Sequence, residues 1–399
     1  MCPIETRTPA VEIETRIRTL QRCLTQADID AALILQNTDL FYFSGTIQQA
    51  HLFIPAFGDP ILMVRKSLER AREESAVNTI IPIASPKQIP DVLRRKGHSL
   101  PDRLGLELDV LPTNLFFYYQ ELFHKTKLID LSHTLRMTRS VKSPYEIGLI
   151  REAARLSDQV AGHVREVLCQ GITEIELAGK VEAYARKLGH QGVIRMRMWG
   201  NEMFYGHLMS GPSAAVPSYM ASPTGGAGIS PAVAQGPGSK RIKPYEPVLI
   251  DYVFAYQGYL SDHTRIFALK GLSDELMTAH TAMLDLQTML KKMVKPNVAA
   301  GDIYTAAVDW IGQLGYADNF MGCGDQRIRF VGHGIGLELD EYPFLAEGQQ
   351  LKLQAGMTVA LEPKLVFPGK GVVGIENTHV VTDNGLEQLT RFEEGVIVV

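Results

Sequence analysis

The chain has 399 residues, too many for one ordinary core, and its net charge of −4 and 45% apolar content fit a soluble globular protein of two domains. No Lys/Arg block supplies a nucleic-acid footprint. No run reaches the roughly 20 apolar residues that a membrane span needs, and Met1-Cys2-Pro3-Ile4-Glu5-Thr6-Arg7 lacks the apolar stretch of a secretory signal. The four cysteines (Cys2, Cys23, Cys169, Cys323) form no CxxC pair and suit buried, reduced thiols in a cytoplasmic protein.

In chain order, the spacing predicts an amphipathic helix over Glu14–Gln26, a buried strand over Ala31–Leu35, another over Ile61–Val64, and a helix over Lys66–Ser75. This is an α/β domain without a catalytic cluster of its own, and it ends in a polar joint, Arg139-Ser140-Val141-Lys142-Ser143-Pro144. Ser143 is placed to cap the next helix, with Pro144 at its first position and Glu146 three residues past the cap; that helix runs to about Leu168. The remainder contains a weak internal repeat. Helical patterns over Glu176–Gly189 and Ile303–Gly315 each lead to an apolar strand with one acid, Asp251 in Val248–Phe254 and Glu362 in Val359–Leu365. Each strand then turns back into another that carries a second acid, Asp262 or Glu376. The first half is longer by about 15 residues (62 positions from Gly189 to Asp251 against 47 from Gly315 to Glu362), and Ser218–Ser239, rich in Gly, Pro, Ser and Ala, reads as an inserted loop of the kind used as a lid.

A carboxylate inside a buried strand must be paired or bound to metal. With Gln257-Gly258 as a two-residue hairpin turn, Tyr256 faces Tyr259 and Asp251 faces Thr264, so Asp262 is a diagonal neighbour of Asp251 at roughly 7–8 Å. The turn near Pro368-Gly369-Lys370-Gly371 is ambiguous. A four-residue loop places Glu362 and Glu376 on opposite faces, whereas a three-residue loop or a bulge places them opposite each other, which is the arrangement adopted here. His333, flanked by Gly332 and Gly334, is the fifth candidate. Asp251, Asp262, His333, Glu362 and Glu376 suit two divalent metal ions, with Mn, Co, Fe and Zn all compatible.

These segments resemble the superfamily of prolidase, aminopeptidase P, methionine aminopeptidase and creatinase: Leu249-Ile250-Asp251, Ser261-Asp262-His263-Thr264-Arg265, Gly332-His333-Gly334-Ile335-Gly336-Leu337, Leu361-Glu362-Pro363 and Gly374-Ile375-Glu376-Asn377-Thr378. The resemblance implies a creatinase/prolidase-like α/β domain over 1–138, including Asn37–Gly45, and a pita-bread catalytic domain with a pseudo-two-fold repeat over 139–399, an α/β (α+β) architecture overall. It also implies a homodimer, while the charge and hydropathy above argue against a nucleic-acid or membrane partner. By resemblance, Asp251 binds one metal, Asp262 and Glu376 bridge both, and His333 and Glu362 complete the second. A metal-bridging hydroxide attacks the scissile carbonyl with Glu362 assisting proton transfer, while Thr264 and Thr378 orient the carboxylates.

Three positions depart from the family pattern. The histidine that follows a proline upstream of the first Asp is replaced, by Ser218 or, on the other alignment, near Ala234. A second histidine, seven positions after His333, is replaced by Asp340, and an arginine two residues before the bridging Glu is replaced by Gly374. Asp340 then becomes a candidate general base, and His207 or Arg329 a substitute for the lost groups. The expectation is a dinuclear hydrolase of the Xaa-Pro dipeptidase/aminopeptidase type, cleaving small peptides N-terminal to proline. The alternative is a hydrolase or lyase acting on a non-peptide small molecule, creatinase-like or C–S lyase-like. A non-catalytic binding protein is the third reading.

Overall fold

The structure, a computed structural model, describes residues 6–399; Cys2 and the first five residues of the N-terminal stretch lie outside them. The chain divides into two compact units. The first runs to Arg139 and takes in Met198–Gly200, and the second comprises Ser140–Arg197 and Asn201–Val399. No helix among the described residues is long and apolar enough to cross a membrane. Cys169 is exposed and Cys23 and Cys323 are half-buried, so the expected burial of the thiols is corrected.

The first unit is a six-stranded sheet in the order Thr79–Pro82, Ile61–Val64, Ala50–Pro55, Ala31–Ile34, Arg103–Leu106, Lys127–Asp130. Leu33, Phe53, Met63 and Leu104 from four of these strands share one apolar cluster. The first helix begins at Ala10, earlier than its apolar spacing indicates, because Pro9 supplies an extended residue at its cap. The helix expected from Lys66 starts at Leu68, since Ser67 takes a left-handed φ of 63°.

In the second unit the repeat takes physical form as two helix pairs. Pro144–Val167 and Glu174–Lys187 pack their apolar faces on Val248, Ile250 and Phe267. Asp274–Met293 and Ala300–Gln313 pack theirs on Val331, Val359 and Leu361. Both helices of the first pair open on a capping box. Ser143 and Glu146 form one, and Thr173 and Glu176 the other, which sets the second helix two residues ahead of its expected start.

The sheet between them runs Glu341–Ala346, Phe330–Gly334, Thr358–Leu361, Glu376–Thr382, His263–Ala268, Val248–Tyr252, Gly206–Ser210. The two halves meet where His263 pairs with Asn377 and Thr264 with Glu376. Gln257 and Gly258 form the two-residue turn with positive φ at both, Tyr256 faces Tyr259, and Asp251 faces Thr264. The other hairpin closes through the three residues Pro368-Gly369-Lys370, with Phe367 opposite Gly371. Leu361 pairs with Asn377 and Lys364 with Gly374, so one unbroken register carries Glu362 opposite Glu376.

Two strands expected to be continuous are interrupted. Val248–Tyr252 stops before Phe254–Tyr256, and Thr358–Leu361 stops before Lys364–Phe367, because Pro363 has no N–H to give the ladder. Asp262 and Glu362 lie in interruptions of this kind, where a side chain can turn from the sheet toward a common point.

Candidate metal centre

The centre is assembled by five adjacent strands. His333 comes from Phe330–Gly334, Glu362 from the end of Thr358–Leu361, Glu376 from the start of the next strand, Asp262 from the residue before His263–Ala268, and Asp251 from Val248–Tyr252. Close backbone approach is needed here: a Cβ on Gly332 would come within 2.3 Å of the Ala360 carbonyl, so the residue before His333 has to be glycine.

His333 is fixed from behind. Its Nδ1 lies 3.0 Å from the carbonyls of both Gly334 and Leu339, which can only accept, so Nδ1 carries the proton and Nε2 presents a lone pair forward. In front of Nε2 stand Glu362 Oε1 at 3.6 Å, Asp262 Oδ2 at 3.8 Å and Glu376 Oε1 at 3.8 Å. These separations are too long for hydrogen bonds and suit ligands that share one ion. Glu376 Oε1 is buried and has no hydrogen-bond partner, which a bound cation would supply. Asp262, His333 and Glu376 each bring a ligand atom within 4.8 Å of the others, and the donor set therefore fits a divalent ion.

The other oxygens face a side chain that sequence reasoning passed over. Lys364 Nζ lies 2.9 Å from Glu362 Oε2, 2.9 Å from Glu376 Oε2 and 3.3 Å from Asp251 Oδ2, and the lysine is 1% exposed. The signal was present: a lysine inside an apolar strand, two residues after an acid, shares that acid's face. Its cross-strand partner is Gly374. A Cβ there would come within 2.5 Å of the Pro363 carbonyl and 2.7 Å of Lys364 Cα, so the backbone leaves no room for the arginine that the family pattern has at that position.

The charge crowding shows in the ionisation of the cluster. Burial and the neighbouring Asp251 push the Asp262 carboxyl up to about 7, against His333 and Lys364. Burial and Asp262 hold Glu376 well above the carboxylate range, with Lys364 opposing. Burial by itself lowers His333, but Asp340, Glu362 and Asp262 together outweigh it and raise the imidazole. Burial also lowers Lys364, yet Asp251, Glu362 and Glu376 more than reverse this and hold the ammonium charged well above its usual range.

Of the supporting residues, Thr264 donates to Glu376 Oε2 at 2.8 Å, as expected of an orienting group. Thr378 is corrected: its hydroxyl accepts from Asp262 N at 2.8 Å and donates to Asp262 O at 2.9 Å, so it fixes the backbone rather than the carboxylate. Arg329 is also corrected. It is exposed and pairs with Glu347 at 3.1 Å, which removes it as a substitute for the lost groups. His207 sits opposite Asp251 on the neighbouring strand, buried, with Nδ1 at 3.2 Å from Thr224 Oγ1 and Nε2 at 3.5 Å from Gln235 Oε1, both within Ser218–Ser239. Burial lowers its pKa and favours the neutral ring. Asp340 Oδ1 is 3.6 Å from His333 Nδ1, behind the ring.

Asp251, Asp262, His333, Glu362, Lys364 and Glu376, with His207 and Asp340, line one pocket, walled by Met196, Met203, Val253, Phe330 and Leu339 and roofed by Met220–Pro223 of the inserted loop.

Comparison with known proteins places this geometry. The model of the creatinase/prolidase N-terminal domain matches residues 16–141, and that of metallopeptidase family M24 matches 148–383. An uncharacterised peptidase of Staphylococcus epidermidis is 28% identical, covering 95% of this chain and 100% of the relative. The Xaa-Pro dipeptidase of Pyrococcus furiosus is 26% identical over 96% and 100%. Among solved structures, the Xaa-Pro dipeptidase from Bacillus anthracis superposes with a TM-score of 0.83 at 24% identity, covering 97% of this chain and all of that one. The prolidase from Pyrococcus horikoshii gives 0.80 at 24%, over 95% and 99%. The family implies divalent metal and hydrolysis, and the fold is the α/β N-terminal domain followed by the pita-bread domain: the chain belongs to metallopeptidase family M24.

Proposed function

We propose that this hydrolase cleaves an amide bond in a small, peptide-like substrate, with Xaa-Pro dipeptides as the leading class. The observation that carries this reading is the ligand cluster set in a pocket whose wall is formed by Met196, Met203, Val253, Phe330 and Leu339, an apolar concavity with a few convergent polar groups of the kind that holds a small substrate. The relatives named as Xaa-Pro dipeptidases favour the same bond. Asp262, His333, Glu362 and Glu376 would hold a divalent ion, which would supply Lewis acidity when bound. Glu362 has one oxygen on Lys364 and the other facing the pocket side of His333. It is placed to accept a proton from water and return it to the leaving nitrogen. Asp340 supports the His333 ring from behind, and His207, neutral and held by the inserted loop, packs the pocket wall beside Asp251.

A second reading has its own support. Asp340, and either Ser218 or a position near Ala234, stand where the family pattern has histidines, and Gly374 has no room for an arginine. A site altered at these three positions favours a non-peptide amide, or a small sulfonium substrate, on the same floor. Purified enzyme assayed with a Xaa-Pro dipeptide panel beside creatine-like and sulfonium substrates separates the two readings. The first expects Xaa-Pro cleavage that falls about 10²–10⁴-fold in Glu362→Gln. Turnover confined to the non-peptide set would install the second.

A further inference from the structure

The oxygens of this centre sort into two groups with hardly any overlap. Glu362 Oε1, Glu376 Oε1 and Asp262 Oδ2 face His333 Nε2. Glu362 Oε2, Glu376 Oε2 and Asp251 Oδ2 face Lys364 Nζ at 2.9, 2.9 and 3.3 Å. Each glutamate thus spans two cationic positions, giving one oxygen to each. Only the position beside His333 has an oxygen without a partner, Glu376 Oε1. The other is filled by an ammonium in contact with three carboxylate oxygens, the environment that a hard cation selects.

We infer that Lys364 is a built-in cation that takes one of the two metal positions, so that the centre binds a single divalent ion at Asp262, His333, Glu362 and Glu376. Asp251 then serves the lysine and not the metal. The ammonium and the ion share Glu362 and Glu376 as bridges, and the lysine supplies permanently the charge that an exchangeable second ion supplies elsewhere. A lysine cannot act as a Lewis acid, so Lewis acidity would come only from the ion that Asp262, His333, Glu362 and Glu376 would hold. Lys364 is a positioning residue: it holds the two glutamates with their other oxygens toward His333. The backbone is built for it, since the absence of a Cβ at Gly374 lets the lysine strand pack against that residue, where an added Cβ would meet Lys364 Cα at 2.7 Å.

This inference rests on the metal-dependent reading, and the test keeps the two apart. Apoprotein is titrated with Mn²⁺, stoichiometry is read by calorimetry and elemental analysis, and the bound ion is examined by electron paramagnetic resonance. The wild type is expected to bind one equivalent with the resolved hyperfine pattern of an isolated ion. Lys364→Ala is expected to bind two equivalents and to show an exchange-coupled pair. Asp251→Asn, which keeps the lysine, is expected to retain the single ion within about threefold of wild-type affinity, while His333→Ala loses it by 10²-fold or more. Two equivalents in the wild type overturn the inference and leave the hydrolase reading intact. So does a single equivalent in a folded Lys364→Ala, or loss of the ion in Asp251→Asn. No tight Mn²⁺ in any form overturns both.

Discussion

At the scale of single residues, the centre depends on groups that never touch the substrate. Thr264 donates one hydrogen bond to Glu376 Oε2, the oxygen that also receives Lys364. Thr264→Val removes the hydroxyl at nearly constant volume and is expected to weaken Mn²⁺ binding about 10–100-fold with the fold intact, as calorimetry and circular dichroism would report. Gly374→Ala is the opposite case: the added Cβ meets backbone at 2.5 and 2.7 Å. It is expected to lower stability by roughly 1–3 kcal/mol in urea unfolding and to displace Lys364. The four acids and the histidine were legible in the sequence because each breaks an apolar pattern. Lys364 was passed over although the strand read over Val359–Leu365 contains it two residues after Glu362, on the face of that acid. The structure adds the register, which brings the lysine opposite Gly374 and beside both glutamates.

At the scale of elements, capping and pairing decide where the ligands point. Ser143 Oγ accepts from Glu146 N at 3.2 Å, Glu146 Oε2 accepts from Ser143 N at 3.0 Å, and Glu146 Oε1 accepts from the Tyr259 hydroxyl at 2.8 Å. One cap therefore ties the longest helix to the hairpin that leads into Asp262. Ser143→Ala is expected to cost about 1 kcal/mol, read as a shift in the urea midpoint at unchanged slope. This cap was readable from four residues in a row, Ser143 to Glu146. The strand breaks beside Asp251 and at Glu362 were not, since an apolar run of strand type continues across them and only tertiary pairing interrupts it. On the far side of the sheet, Arg265 donates to the carbonyls of Thr264, Glu376 and Phe392 and to Asn377 Oδ1, each at 2.8–2.9 Å. It braces the strands that bear Asp262 and Glu376 from behind, and burial lowers its pKa to about 10. Its role could not be inferred from sequence because three of its four partners, on Glu376, Asn377 and Phe392, lie more than a hundred positions away.

At the scale of the whole molecule, buried histidines set the acid limit. His51 in the first unit and His190 and His379 in the second are held down to about 4, 4 and 3 from 6.5, burial being the first cause in each. Their folded-state values are depressed, so between pH 6.5 and about 4 the unfolded chain takes up protons that the folded chain refuses. Stability from these groups is therefore complete above pH 6.5 and lost as pH falls through that window, each on the order of 1–3 kcal/mol by pH 4. Urea midpoints at pH 7, 5.5 and 4.5 should fall in that order, and His379→Gln should flatten the lower part of the curve if it folds. A midpoint that holds steady to pH 4.5 would count against this assignment. The two-domain α/β organisation and the doubled pattern of helix, strand and acid were legible over the whole chain, because helix and strand periods survive in each half. The sorting of the oxygens between lysine and metal was not, since it depends on distances that no spacing encodes.

The hairpin turn Pro368-Gly369-Lys370 has a consequence beyond its own stability. One register runs from Phe367 opposite Gly371 up to Thr358 opposite Val380, with Glu362, Lys364 and Glu376 inside it. Adding or removing one turn residue slides every pair by one and sends alternate side chains to the other side of the ribbon. The turn is thus a length gauge for the chemistry: its three residues can change identity, but their number cannot change while both glutamates meet at one point. The Ser218–Ser239 loop is under no such count. Length variation among related chains should therefore be free in that loop and forbidden in the turn, so that new substrates are reached by lengthening the roof of the pocket while its floor stays fixed.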